Sequence, residues 1–131
     1  MLNTIKLPVH SIAHGRAWDT GDVSNVSLIA YNKYGWENIR ENATEDIVLT
    51  IFKHLGATSL KRYELPNLMA LNFVIQNTLG GGVNSSLRLD RHGKTLSSYL
   101  LYHLVLDVSL DMMPNTSPYR NKFKWNRGLI W

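Results

Sequence analysis

The spacing of apolar positions switches along this chain between period two and a helical period, and each switch predicts an element. Val9 to Ala13 reads as a short first strand. Asn25 to Tyr31 alternates, with Val26, Leu28 and Ala30 on one face and Ile29 and Tyr31 on the other. Asn32 to Ala43 is polar, interrupted by Gly35 and by Tyr34 and Trp36, and reads as a loop with one helical turn. A helix follows. Thr44 can cap it, Glu45 and Asp46 place negative charge in its first turn, and Ile47, Val48, Ile51, Phe52 and Leu55 form one stripe. Lys53 and His54 suit its last turn, and Gly56 stops it as a left-handed cap. Ser59 to Leu65 and Leu68 to Gln76 read as paired strands around Pro66-Asn67, the second apolar on both faces and therefore central. Leu87 and Leu89 suit a short strand. A second helix runs from about Lys94 to Leu106, after His92-Gly93, with Leu96, Leu100, Leu101 and Leu104 inward. Periodicity is lost after Asp107.

Strand, helix, two strands, helix is most of a ferredoxin-like pattern, and the N-terminal strand can complete the sheet. The expected class is α+β, with an antiparallel-rich sheet and two helices on one face. Leu71, Phe73, Ile51, Phe52, Leu100 and Leu104 should share one core. Residues 1–108 form the expected domain and residues 109–131 a basic-aromatic arm, whose apolar end (Leu129, Ile130, Trp131) should dock on the body or on a second subunit.

At 131 residues, one domain with a real core fits the length. The net charge of +4 sits in the tail, because Arg120, Lys122, Lys124 and Arg127 follow the last acid, Asp111. The body is neutral, so nucleic acid is not an expected partner despite the tail's basic and aromatic alternation. With no cysteine, disulfides and thiolate metal sites are excluded. No apolar run approaches the roughly 20 residues that span a bilayer, and the N-terminus is not a secretory signal. A cytoplasmic protein is expected.

Two polar, glycine-bearing segments carry the candidate chemistry. The first, His14 to Asn25, holds Arg16, Asp19 and Asp22 between Gly15 and Gly21. A turn there would gather two carboxylates about one guanidinium; a purely structural turn held by the same groups is the plainer reading. The second, Leu79 to Asp90, holds Gly80, Gly81 and Gly82, whose N–H groups can face an anion, and Arg88 beside Asn84, Ser85 and Ser86. It has neither the P-loop lysine nor dinucleotide-type glycine spacing, and a flexible turn explains it equally well. Asn72 interrupts an apolar strand and Asn67 sits at a turn; each is a hydrogen-bonding node or a ligand contact. Among five histidines, with no paired metal spacing, His14 is the one placed for acid–base work. No metal site, cofactor or nucleophile elbow is indicated.

These blocks resemble the small C-terminal domain of the AtuA family, named for acyclic terpene utilisation. The resemblance runs over residues 10 to 106. It is carried by His14-Gly15-Arg16 to Asn25, Arg62-Tyr63-Glu64-Leu65-Pro66-Asn67, Ala70-Leu71-Asn72-Phe73-Val74, Leu79-Gly80-Gly81-Gly82 and Ser86-Leu87-Arg88-Leu89-Asp90. It implies a ferredoxin-like fold and a setting in terpenoid or branched acyl-CoA catabolism. Ala17, Trp18 and Thr20 depart from the family's small polar, glycine and lysine positions, and Met69 stands where a polar histidine is common. The ligand should therefore differ from that of typical relatives.

The resulting expectation is a protein that binds an anionic small molecule or acyl-CoA, as an enzyme or as the small subunit of one, in a homo-oligomer or beside a partner enzyme. Arg16 and Arg88 would hold anionic groups, the glycine run would donate N–H groups, and Asp19, Asp22 or His14 would act as base. Asn25, Asn67 and Asn72 would complete the contacts. If the loops converge, both arginines, both aspartates and the glycines line one concave surface. The alternative is a non-catalytic interaction module supporting a larger enzyme.

Overall fold

A computed structural model describes residues 3–20, 23–76 and 95–123. Four strands, β2 (Ala13–Thr20), β3 (Val23–Ala30), β4 (Ser59–Leu65) and β5 (Ala70–Gln76), form an antiparallel sheet in the order β2-β3-β5-β4. Two helices, α1 (Lys33–Asn42) and α2 (Glu45–Lys53), make the crossover from β3 to β4, and β5 inserts between those strands. This is the split βαβ arrangement of a ferredoxin-like fold. The N-terminal strand β2 fills the remaining edge. A third helix, α3 (Thr95–His103), follows, and β1 (Ile5–Pro8) pairs with β6 (Val105–Val108) as a separate ribbon.

Alternation along the strands decides what is buried. Val26, Leu28, Leu71, Phe73, Leu60 and Ile75 face the helices and join Ile39, Val48, Phe52, Leu100 and Leu104 in one core, with Ile51 packed against it. The expected core is present. Gly15 lies under α3, where an added Cβ would sit 3.2 Å from the Ser27 carbonyl oxygen and 3.2 Å from the Ser97 Cβ. The glycine serves close approach of helix to strand, not a turn.

Several expectations need correction. The segment from His14 to Asn25 is not a loop: most of it is the β2–β3 hairpin. Residues 9–13 do not form the first strand, because Val9–Ser11 is a 3-10 turn between β1 and β2. Residues 33–42 are a full helix, so among the described residues three α-helices pack on the sheet rather than two. Asn32 starts that helix by accepting from the Gly35 N–H at 2.9 Å, and its own amide donates to the Asp111 carbonyl at 2.9 Å. The last helix ends at His103, and Val105–Val108 is a strand instead of its continuation.

Other local expectations hold. The Thr44 hydroxyl accepts from the Ile47 N–H at the start of α2, and Gly56 has a φ of 100° just past its end. β5 is central and pairs with β4 through the Pro66–Leu68 turn. That turn closes on Met69, whose backbone is left-handed (φ 52°) and whose carbonyl accepts from Ala30 N–H. At the far edge, Glu45 Oε2 accepts the β4 backbone N–H of Arg62 at 2.8 Å. The Arg62 guanidinium in turn donates to the carbonyls of Arg40 and Ala43, closing the C-terminal end of α1. Met113 and Phe123 are buried in the main core. The expected Leu87–Leu89 strand, the His92-Gly93 helix start and the Leu129–Trp131 end lie outside the described residues.

Candidate functional site on the open face of the sheet

The face turned away from the helices is built by the alternate set of the same strands. Register places Arg16, Ser27, Asn72 and Tyr63 in one row across all four strands, with Asn25 in the next row. His14 shares the face, two positions from Arg16 on β2. A hydrogen-bonded chain occupies the centre. The buried Ser27 hydroxyl donates to Asn72 Oδ1 at 3.0 Å, and the Asn72 amide donates to Asn25 Oδ1 at 3.3 Å.

The direction of this chain matters. It consumes the Ser27 donor and both functions of Asn72, and within the described residues it leaves the Asn25 amide N–H groups without an acceptor. The exposed Arg16 guanidinium stands beside it, and no described side chain pairs with it. Lys61 is exposed on the same face. The result is a surface rich in hydrogen-bond donors and positive charge, which is the chemistry that receives carboxylate, phosphate or thioester oxygen.

The structure brings His14, Arg16, Asn25 and Asn72 to one face. His14 stacks on Tyr31 at a centroid distance of 5.5 Å. Asn67 lies apart from them, in the exposed turn after β4. Asp19 pairs in register with Ser24 near the end of β2. Asp22, Gly80, Gly81, Gly82 and Arg88 lie outside the described residues. β2, β3 and β5 end together, with Thr20 opposite Val23 and Val23 opposite Gln76.

Ser27 was missed from the sequence. The signal was there, since Ser27 shares the parity of Asn25 on β3 and two polar residues on one face of a central strand imply a polar row. Among the described residues no group of His, Asp and Glu could hold a metal ion. None of their helices is long and apolar enough to cross a membrane.

The model of one protein family, the AtuA ferredoxin-like domain, matches residues 7–106. No curated protein and no solved structure matches the chain.

Proposed function

The chain belongs to the AtuA ferredoxin-like domain family, and from that footing we propose that its open sheet face binds an anionic small molecule or acyl thioester. The observation that carries this reading is the Ser27–Asn72–Asn25 chain, whose terminal amide donors and the neighbouring Arg16 have no partner among the described residues. Arg16 holds the anionic group, Asn25 orients it, Asn72 fixes Asn25 in place, and His14 is the base where a proton must move. Asp22 and the glycine run are the remaining members of the expected site. The protein then serves terpenoid or branched acyl-CoA metabolism in the cytoplasm, as an enzyme or as the small subunit of one.

Thermal shifts of the purified chain with coenzyme A, branched acyl-CoA esters and free terpenoid acids test this, since a ligand bound to the native state alone raises its stability. Arg16→Ala should weaken the binding seen by roughly 10- to 100-fold, the loss of a hydrogen bond to a charged group. Asp22→Asn should reduce it with little effect on folding. Stabilisation by none of these compounds, or full affinity in Arg16→Ala, rejects the reading.

A second reading has its own support. Tyr31, Tyr63, Leu65 and Leu68 are exposed toward the other end of the sheet, which suits a non-catalytic contact with another subunit. Sedimentation of a Leu65→Ser, Leu68→Ser double variant separates the two: a smaller species supports the contact, and an unchanged one rejects it.

A further inference from the structure

A cleft of about 300 Å³ lies at the end of the sheet away from Thr20 and Val23. The Val9–Ser11 turn and Tyr31 form one wall, and the stretch from Pro114 to Tyr119 forms the other. That second wall lies beyond the residues shared with the family. The lining carries rings and hydroxyls, from His10, Tyr31 and Tyr119 and from Ser11, Thr116 and Ser117. No Lys, Arg, Asp or Glu is among the described residues that line it.

The rings are held in place. His10 stacks on Tyr102 with centroids 4.7 Å apart, meets Tyr119 edge-on at 5.7 Å, and sets its Nδ1 3.1 Å from the Tyr119 hydroxyl. The stretch that bears Tyr119 is fixed as well. The Tyr119 N–H donates to Ser117 Oγ at 3.2 Å, and Arg120 donates to the carbonyls of Leu110 and Met113. Burial, and next the nearby Tyr102, raises the Tyr119 phenol above its ordinary value, so it stays neutral at physiological pH.

Fixed aromatic faces edged by hydroxyls suit a ligand with a flat apolar side and hydroxyl groups of its own. A charged ligand would lose hydration here with no opposite charge to replace it. The volume stands at the small end of ligand pockets, about 300–1,000 Å³, which favours one ring over a nucleotide-sized molecule. We propose that this cleft is a second binding site, adjoining the sheet face at Tyr31, which stacks on His14, for a neutral ligand built on one hydroxyl-bearing six-membered ring. Sugars and phenols both present such a ring.

The test is an NMR titration of the full chain, following the ring signals of His10 and Tyr119. Methyl β-glucopyranoside is the probe in one arm and phenol in the other. Saturable shifts in either arm are expected, and the arm that responds names the source. Tyr119→Phe keeps the ring and removes the hydroxyl, and should weaken that binding about fivefold, the worth of one hydrogen bond. Thr116→Val is the second variant. Thr116 is exposed, so its exchange should spare the fold even if Tyr119→Phe loosens the arm, and it too should weaken binding. Arg16→Ala should leave it unchanged. No saturable shift in either arm overturns the proposal, and so does binding that Thr116→Val and Tyr119→Phe both retain in full.

Discussion

Leu71 and Asn72 are neighbours on β5, yet they belong to two different regimes of the molecule. Leu71 is wholly buried beneath the helices, in line with Leu28 on β3. Asn72 is half-buried on the opposite face, where it joins Ser27 to Asn25. The helix-covered face holds the chain together through apolar area, about 25 cal/mol for each Å² removed from water. The open face adds little area, and its Ser27–Asn72–Asn25 chain pairs some polar groups while turning others toward solvent. A sheet divided in this way lets the open face change its chemistry while the covered face keeps the fold.

The sharpest way to break that division is on the covered face. Leu71→Ala should cost ~2–5 kcal/mol, from lost transfer energy and the cavity left behind. Urea unfolding measures it, and a loss under about half a kcal/mol would mean that the position is not packed. Gly15→Ala comes next. A Cβ there meets the Ser27 carbonyl, which the sheet fixes, as well as Leu101 Cδ1 at 3.3 Å. Overpacking of ~1–3 kcal/mol is expected, and a gain in stability would show that α3 can lift away. On the open face, Asn72→Ala should cost only ~1 kcal/mol, chiefly by leaving the buried Ser27 hydroxyl unbonded. A loss as large as that of Leu71→Ala would abolish the distinction between the faces.

The smallest effect lies off the sheet and appears only at high pH. The Tyr119 phenol is raised above 10.0, so the folded state favours the neutral form. Its contribution to stability is present below pH 10.0 and is lost as pH rises through the folded value. Tyr119→Phe should therefore soften the fall in melting temperature as pH rises above 10.0. An equally steep fall in the variant would assign the alkaline sensitivity elsewhere.

Where a pattern repeats over many residues, the sequence was legible. The stripe of α2, its Thr44 cap and the two-sided apolar run of β5 all signal their states directly. Single glycines misled. Gly15 and Gly35 resemble turn residues, but each stands where two backbones or a backbone and a helix meet closely: a Cβ on Gly35 would lie 3.3 Å from the Ile12 carbonyl. Close approach is a tertiary fact with no local signal. α1 was further disguised by its polar composition, because one buried position, Asn38, is spent on anchoring the helix to the Asp107 carbonyl at 2.8 Å. For the candidate site, strand alternation pairs Arg16 with His14 and Asn25 with Ser27 only once His14 to Asn25 is known to be a hairpin, and the polar, glycine-bearing sequence reads as a turn instead. The link from β3 across to Asn72 needed the register, which no single strand encodes.

Glu45 has a role in what the protein avoids. An edge strand offers a row of unpaired backbone groups on which another chain can assemble, the first step toward aggregation. On β4 that row is interrupted in its middle, because the Glu45 carboxylate already occupies the Arg62 N–H. The same carboxylate lies in the first turn of α2, where negative charge is favoured by the helix dipole. A group that helps start a helix thus also ends a sheet, and an incoming strand would have to displace it before it could zip onto β4.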